Sequence, residues 1–138
     1  MADRLEWEGL VVSVRHELSP PVEEELVRDG TLVLVGGAPA EVVVRLTRTV
    51  ASVAEYAVEW NGPHDPVVRP IPFGSVHWRR MPEVHAVLAL QTLIRAARDS
   101  RRSKFQRCRF CEATTPPEAL HEDDVCQECA QRHLGVAY

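Results

Sequence analysis

The chain has 138 residues, of which 45% are apolar and 26% charged, and it carries a net charge of −4. This composition is typical of one compact folded unit and too apolar for a disordered chain. Apolar runs extend over only a few residues, which excludes a membrane-spanning helix of about 20 residues. The amino-terminal residues include acids where a secretory signal has basic and then apolar residues, so we expect a cytoplasmic protein without a membrane partner.

Positive charge is concentrated in one segment. Residues 95–109 contain a single acid, Asp99, and seven basic residues: Arg95, Arg98, Arg101, Arg102, Lys104, Arg107 and Arg109. A polyanion would have to bind at this basic segment, since the rest of the chain is acidic. The alternative is an ordinary solvated helix surface.

The first part of the chain has the alternating apolar pattern of β-strands. Residues 5–14 predict an opening strand with a bulge at Gly9, where the apolar positions change sides. Residues 20–26 favour a helical turn. The continuous apolar run 31–35 predicts a strand covered on both faces.

Two further runs, residues 42–49 and 55–60, predict antiparallel strands with one solvent-facing side each. The hairpin that joins them is expected near residues 50–53, and a last short strand over residues 75–79. Five short strands favour an α+β fold built on a small antiparallel barrel or sandwich, which we assign to a β domain at residues 1–81.

After Pro82, which can occupy the first turn of a helix, the apolar period changes. Apolar residues now recur at three- and four-residue steps: Ala86, Val87, Leu90, Leu93, Ile94 and Ala97. This pattern predicts an amphipathic helix over residues 82–103 that packs on the sheet. Its opposite side carries Gln91, Arg95, Arg98 and Arg102, which would point at solvent or at a partner.

All four cysteines lie in the last 31 residues, as two pairs with two residues inside each pair and fourteen between them: Cys108, Cys111, Cys126 and Cys129. Two such pairs can complete the tetrahedral sulfur shell that Zn²⁺ prefers. Disulfides fit poorly in the cytoplasm, and a thioredoxin-like motif needs only one pair. We therefore predict one structural zinc ion per chain.

The residues around the cysteines predict short helices. Residues 115–118 favour one turn that ends near Leu120, because a threonine cap is followed by prolines. Residues 127–134 favour a helix that Gly135 stops. The second cysteine pair then lies at a helix start, where the positive end of the helix dipole favours thiolate.

The segment 104–138 resembles the class of four-cysteine zinc ribbons and treble-clef fingers. The resemblance implies a zinc-binding turn at residues 108–111 and a second ligand pair at a hairpin-to-helix junction, residues 126–129. Glu112 and Ala130 stand where many members have glycine. Such fingers bind DNA, RNA or proteins, or only hold a fold together, so the class implies no catalysis.

Other side chains offer weaker candidates. His121 and His133 could replace a ligand, but four cysteines already fill the shell, so surface histidines are expected. We expect no enzyme, because no nucleophile motif accompanies the remaining candidates for a catalytic set. These candidates are His64, Asp65, His77 and His85.

The aromatic residues divide into two groups. Trp7, Trp60 and Trp78 fall in predicted strands, where packing is the expected role. Phe105 and Phe110 lie among basic residues and are the better candidates for stacking on a nucleic-acid base. They could also simply cover the metal site.

These patterns lead to two functional hypotheses. The first is a non-enzymatic protein that binds RNA or DNA, such as a transcription or translation regulator. Its contacts would be Arg95, Arg98, Arg102, Lys104, Arg107, Arg109 and Phe110. The second is a protein-interaction or assembly adaptor in which zinc is purely structural.

In the adaptor hypothesis the arginines pair with an acidic partner, or with residues 23–25 of another copy in a homo-oligomer. The net negative charge and the acids of segment 104–138 argue against the nucleic-acid hypothesis. The apolar carboxyl-terminal tail, residues 134–138, favours the adaptor, because this tail must pack on its own core or on a neighbour.

Overall fold

The computed structural model describes residues 4–137, so residues 1–3 and Tyr138, the end of the predicted apolar tail, lie outside it. Its centre is a five-stranded antiparallel sheet. In their order across the sheet, the strands are β1 (Val22–Leu26), β2 (Leu32–Gly36), β3 (Val42–Leu46), β4 (Ala51–Glu55) and β7 (Ile71–Val76). The helices are α1 (Trp7–Glu17), α2 (Glu83–Arg102) and α3 (Gln127–Leu134).

Three small hairpins complete the described residues. Their strands are β5 (Val58–Trp60) with β6 (Pro66–Val68), β8 (Gln106–Arg107) with β9 (Thr114–Thr115), and β10 (Leu120–His121) with β11 (Val125–Cys126). Short 3-10 helices cover Trp78–Arg80 and Pro117–Ala119. The first hairpin extends from the sheet, and the other two belong to the cysteine-rich segment.

The predicted α+β class is confirmed, but the barrel or sandwich is wrong. The sheet is open, with β1 and β7 at its edges. Helices α1 and α2 cover one face of the sheet. Their side chains join the apolar core there, among them Leu10 and Val14 from α1 and Leu90 and Ile94 from α2. Because the two helices already cover this face, the core is buried without closure of the sheet into a barrel and without a second sheet.

Helix α1 replaces the strand predicted over residues 5–14. Leu10, Val14 and Leu18 are buried at four-residue steps, as in a helix that packs on a sheet. Val12, which the strand pattern places beside Leu10 and Val14, is 62% exposed. The predicted bulge at Gly9 is therefore wrong, since Gly9 lies inside the helix.

The two segments that follow form a strand pair. The helical turn predicted over residues 20–26 is wrong, because Val22–Leu26 forms β1 and pairs with β2 from Val22 opposite Gly36 to Leu26 opposite Leu32. This pairing overrides the local preference of the glutamates. The strand predicted at residues 31–35 is confirmed as β2, but Val33 and Val35 on its other face are only half-buried. Coverage on both faces is thus incomplete.

The next hairpin was predicted a few residues too late. β3 pairs with β4, and the turn over residues 47–50 is closed by the Thr47 hydroxyl, which accepts a hydrogen bond from the Val50 amide at 3.0 Å. The run 55–60 divides between Glu55, the last residue of β4, and the whole of β5. The strand expected over residues 75–79 ends at Val76, and Trp78–Arg80 turns as a 3-10 helix.

Helix α2 confirms its prediction. It begins directly after Pro82 and buries Ala86, Leu90, Ile94 and Ala97. A β-bridge joins Arg4, just before α1, to Pro82, and Glu17 at the end of α1 contacts Arg95 and Arg98 of α2. The two helices therefore run in the same direction. Among residues 4–137, no helix has the length and apolarity needed to span a membrane.

Candidate metal centre

The sulfur atoms of Cys108, Cys111, Cys126 and Cys129 converge at one point. All four lie within 4.8 Å of one another, and those of Cys111 and Cys126 are 3.8 Å apart. A tetrahedral site with metal–sulfur bonds of about 2.3 Å has sulfur–sulfur edges of about 3.8 Å. The cysteines are free thiols rather than disulfides. The four are thus positioned to bind one metal ion, as their spacing predicted.

The first pair lies in the turn between β8 and β9. The Cys108 amide donates to the Ala113 carbonyl at 3.0 Å, and the Glu112 amide donates back to the Cys108 carbonyl at 2.9 Å. To close this turn, Glu112 adopts a left-handed backbone conformation with a φ of 63°. Glycine adopts that conformation far more readily than a residue with a side chain.

The second pair lies where the β10–β11 hairpin runs into α3, as predicted. Cys126 ends β11 and caps the helix, because its sulfur accepts a hydrogen bond from the Cys129 amide at 3.4 Å. Gly135 ends the helix in the left-handed conformation. The turn at Pro117–Ala119 is also confirmed, but Thr115 is not its cap; its hydroxyl donates to the Ala113 carbonyl.

The two buried thiols have opposite electrostatic environments. The Cys126 amide, 3.4 Å from the sulfur of Cys108, and the Cys111 amide lower the pKa of Cys108 to about 6. Burial raises the pKa of Cys129 to about 12. Of the two buried thiols, Cys108 therefore ionises more readily than Cys129. A cation between the sulfurs would remove the penalty of burial, because it stabilises the thiolate directly.

A buried arginine joins the cysteine-bearing segment 104–138, which we call the finger, to the rest of the protein. Arg101 is only 2% exposed, and its guanidinium donates to the Ala40 carbonyl at 3.0 Å and to the Glu118 carboxylate at 2.9 Å. The Glu118 carbonyl accepts hydrogen bonds from the side chains of Trp60 and Gln127. One contact set thus holds α2, the loop before β3 and the finger together.

The predicted nucleic-acid contacts on α2 have partners inside the chain. Arg95 lies 2.7 Å from the Glu17 carboxylate, and Arg98 donates to the Glu17 carbonyl at 2.9 Å. Glu17 is largely buried and ends α1, so these two arginines anchor α1 to α2. The basic face of α2 therefore serves at least partly as a packing surface.

Arg102 and Lys104 are paired in the same way. Arg102 lies 2.5 Å from the buried Glu41 carboxylate, and this hydrogen bond raises the pKa of Arg102. Lys104 lies 2.6 Å from the carboxylate of Glu55, which is buried on the inner face of the sheet. Sequence reasoning missed these pairs because their carboxylates come from loops and strands about 50–60 residues away.

The remaining predicted contacts lie on the finger. Arg107 is exposed and 3.5 Å from Glu112, while Arg109 has no carboxylate oxygen within 4 Å among the described residues. The Arg109 guanidinium lies 5.1 Å from the centre of the Phe110 ring. That ring, 41% exposed, stacks on His133 at 4.7 Å with an interplanar angle of 16°. These three residues form a continuous exposed stack.

Within residues 4–137, none of the other candidate residues joins the four cysteines at the metal centre. His133 is exposed as expected, whereas His121 is half-buried. Trp78 is a core residue as predicted, and Phe105 packs beside the buried guanidinium of Arg101. From the apolar tail, Val136 packs on the small core of the finger. His64, Asp65, His77 and His85 are all exposed.

No protein-family model, no curated protein and no solved structure matches this chain. Its function must therefore be argued from its own residues.

Proposed function

We propose that this protein is a non-enzymatic zinc-finger protein that binds nucleic acid, with the functional role of a transcription or translation regulator. The main observation in support of this proposal is the exposed stack of Arg109, Phe110 and His133 on the cysteine-bearing finger. The position of the stack next to the metal ligands means that metal binding would hold its geometry.

Zinc is the metal that suits the centre best. Four thiolates in a tetrahedral arrangement are typical of structural zinc sites, in which no coordination position is left for a substrate. In the proposal the ion therefore rigidifies the finger and takes no part in chemistry. The residues that hold it are Cys108, Cys111, Cys126 and Cys129.

The chemistry of the stack supports nucleic acid as the partner. One face of the Phe110 ring stacks on His133, so an unpaired base would have to stack on the other face, with a gain of about 1–3 kcal/mol per base. Arg109 has no competing carboxylate within 4 Å among residues 4–137, so its charge is available to phosphate. Arg107 is also exposed beside the same turn, where it has a long, solvated ion pair with the Glu112 carboxylate and donates a hydrogen bond to the Glu112 carbonyl at 3.3 Å. Such surface pairs contribute little and are readily exchanged.

The helix contributes less to this proposal than its sequence suggests. To bind phosphate, Arg95, Arg98, Arg102 and Lys104 would have to leave carboxylates that are themselves buried or nearly so. A buried carboxylate that loses its partner is costly. We therefore assign the main contacts to Arg107, Arg109 and Phe110. Contacts from α2 and from Lys104 are secondary.

The second candidate function is the assembly adaptor. The observation in its favour is that the cations of α2 are used within the chain, while half-buried apolar side chains, Val33 and Val35, remain on the outer face of the sheet. The finger segment also has six acids and only four bases. In this reading a protein, an acidic one or a second copy, takes the place of nucleic acid.

Fluorescence anisotropy with a labelled single-stranded RNA and the same DNA sequence tests the proposal. In the zinc-loaded protein, Arg109→Glu combined with Phe110→Ala should weaken binding at least about tenfold, since it removes one phosphate contact and one stacked base. Arg132→Glu is the control, because Arg132 is exposed on the same finger but pairs with Glu128.

The two candidates give different results. Equal weakening by the control variant would show only a net-charge effect. A wild-type protein that binds neither probe, and that copurifies with a protein but no nucleic acid, would overturn the proposal in favour of the adaptor.

A further inference from the structure

Arginines without a carboxylate partner are concentrated away from the finger. Of the 16 lysines and arginines, nine have a carboxylate oxygen within 4 Å among the described residues, which leaves seven without one. The seven are Arg4, Arg28, Arg45, Arg48, Arg79, Arg80 and Arg109. Only Arg109 belongs to the surface proposed above.

Four of these residues meet at one end of the sheet, which we call the arginine end: Arg4, Arg48, Arg79 and Arg80. Leu46, Ala51 and Val76 lie side by side in the last rung of β3, β4 and β7. The turn with Arg48 and the 3-10 helix with Arg79 and Arg80 follow directly from this rung. Arg4 donates a hydrogen bond to the Arg79 carbonyl at 3.4 Å. All four side chains are exposed.

Two tryptophan rings pack against two of the guanidinium groups at the arginine end. The rings of Trp7 and Trp78 are 6.4 Å apart, with the Arg48 guanidinium 4.2 Å from the Trp7 ring and that of Arg79 5.8 Å from the Trp78 ring. The Trp78 indole also donates to the Thr47 carbonyl at 3.1 Å, which fixes the neighbouring turn. Stacking on a ring leaves the N–H edge of a guanidinium free to bind phosphate.

The helices add positive potential at the same place. The bridge between Arg4 and Pro82 brings together the amino-terminal ends of α1 and α2, where the helix dipoles are positive. Three exposed carboxylates also lie in these first turns: Glu6, Glu8 and Glu83. The four arginines outnumber them, and none of the three comes within 4 Å of an arginine nitrogen there. Counted over residues 4–137, this end is therefore positive in a chain of net charge −4.

We infer that the arginine end is a second nucleic-acid surface that binds backbone phosphates, at the opposite end of α2 from the finger. The inference rests on the proposed function for the class of partner. Four guanidinium groups from three chain segments match a polymer of repeated phosphates, since each planar fork can bind one phosphate through two hydrogen bonds. A nucleic acid bound here contacts guanidinium edges, with Trp7 and Trp78 holding two of them in place.

Anisotropy of the zinc-loaded full-length protein with a labelled single-stranded RNA tests the inference. Arg48→Glu with Arg80→Glu should weaken binding at least about tenfold and reduce the log–log salt slope by about 1.4, because each lost phosphate contact accounts for about 0.7. The matched control is Arg69→Glu with Arg132→Glu. It changes net charge equally, and both arginines are exposed and paired elsewhere. The control should leave the slope unchanged.

A single substitution, Arg80→Glu, tests the same surface with the least risk of misfolding. The Arg80 side chain makes no hydrogen bond, ion pair or ring contact within residues 4–137, so Arg80→Glu should leave the circular dichroism spectrum unchanged and reduce the slope by about 0.7. Equal affinities for the arginine-end and control variants would overturn the inference. So would a polyglutamate peptide that binds this end as tightly as RNA, since the partner would then be an acidic protein.

The finger variant separates this inference from the proposed function. If the arginine-end variant loses RNA binding and Arg109→Glu with Phe110→Ala does not, the inference stands and the finger contact is wrong. If only the finger variant loses binding, the arginine end is not a nucleic-acid surface. A wild-type protein that binds no nucleic acid refutes both.

Discussion

Glu112 closes the turn between β8 and β9, which carries two of the cysteines, in an unfavourable backbone conformation. Its φ of 63° is required because its amide must return to the Cys108 carbonyl within one tight turn. A residue with a side chain has a cost of about 1–2 kcal/mol in this left-handed region. Its ion pair with Arg107 is long and exposed, so it offsets little of this cost.

Glu112→Gly should therefore strengthen the metal site. Relief of about 1 kcal/mol of strain corresponds to roughly fivefold tighter zinc binding, if folding of the turn and metal binding are coupled. Competition with a chromophoric chelator measures this change. Ala113→Gly is the control one position later, where φ is not positive, and should weaken binding. A weaker site in Glu112→Gly would mean that the ion pair outweighs the strain.

Single residues differ in how well the sequence predicts them. The metal ligands are predictable because ligand chemistry and spacing are local properties of residues 108–129. Arg101 is not, because seven similar cations occupy its segment and only the fold selects one to be buried. Its partners, Ala40 and Glu118, lie 61 and 17 residues away. The same reason explains the unexpected pairs of Arg102 and Lys104.

Among the elements, α1 illustrates how one apolar pattern can satisfy two periods. Leu10, Val12 and Val14 alternate as in a strand, while Leu10, Val14 and Leu18 recur as in a helix. These four apolar positions alone do not separate the two periods. The burial of Leu18 and the exposure of Val12 do. By contrast, α2 is long enough for its period to be unambiguous.

Gly9→Ala tests the assignment of α1. Gly9 lies inside the helix, and an added Cβ would meet only the Leu5 side chain at 3.4 Å, an ordinary contact. Alanine should therefore raise the free energy of unfolding by about 0.5–1 kcal/mol. Denaturant unfolding measures the change. Gly36→Ala is the opposite control, since its Cβ would lie 2.8 Å from Leu18 Cβ and should destabilise the protein. A loss of stability in Gly9→Ala would contradict the helical assignment.

At the scale of the whole molecule, one buried ion pair connects the finger to helix α2, which packs on the sheet. Arg101 belongs to α2, but the carboxylate that compensates it, Glu118, belongs to the finger. If the metal holds the finger in shape, then metal removal detaches Glu118 and leaves Arg101 buried without its partner. A buried charge in that state costs about 3–5 kcal/mol. Metal loss should thus weaken the sheet as well as the finger.

This coupling predicts that Glu118→Gln matters only while metal is bound. In the zinc-loaded protein the substitution should lower the free energy of unfolding by about 3 kcal/mol, because it leaves Arg101 uncompensated. After chelation the substitution should have almost no further effect, since Glu118 has already left Arg101. Unfolding of both proteins with and without chelator completes the cycle. Glu128→Gln, which breaks the exposed pair with Arg132, should change little in either state. An equal cost of Glu118→Gln before and after metal removal would mean that Glu118 keeps its contact with Arg101 without the metal.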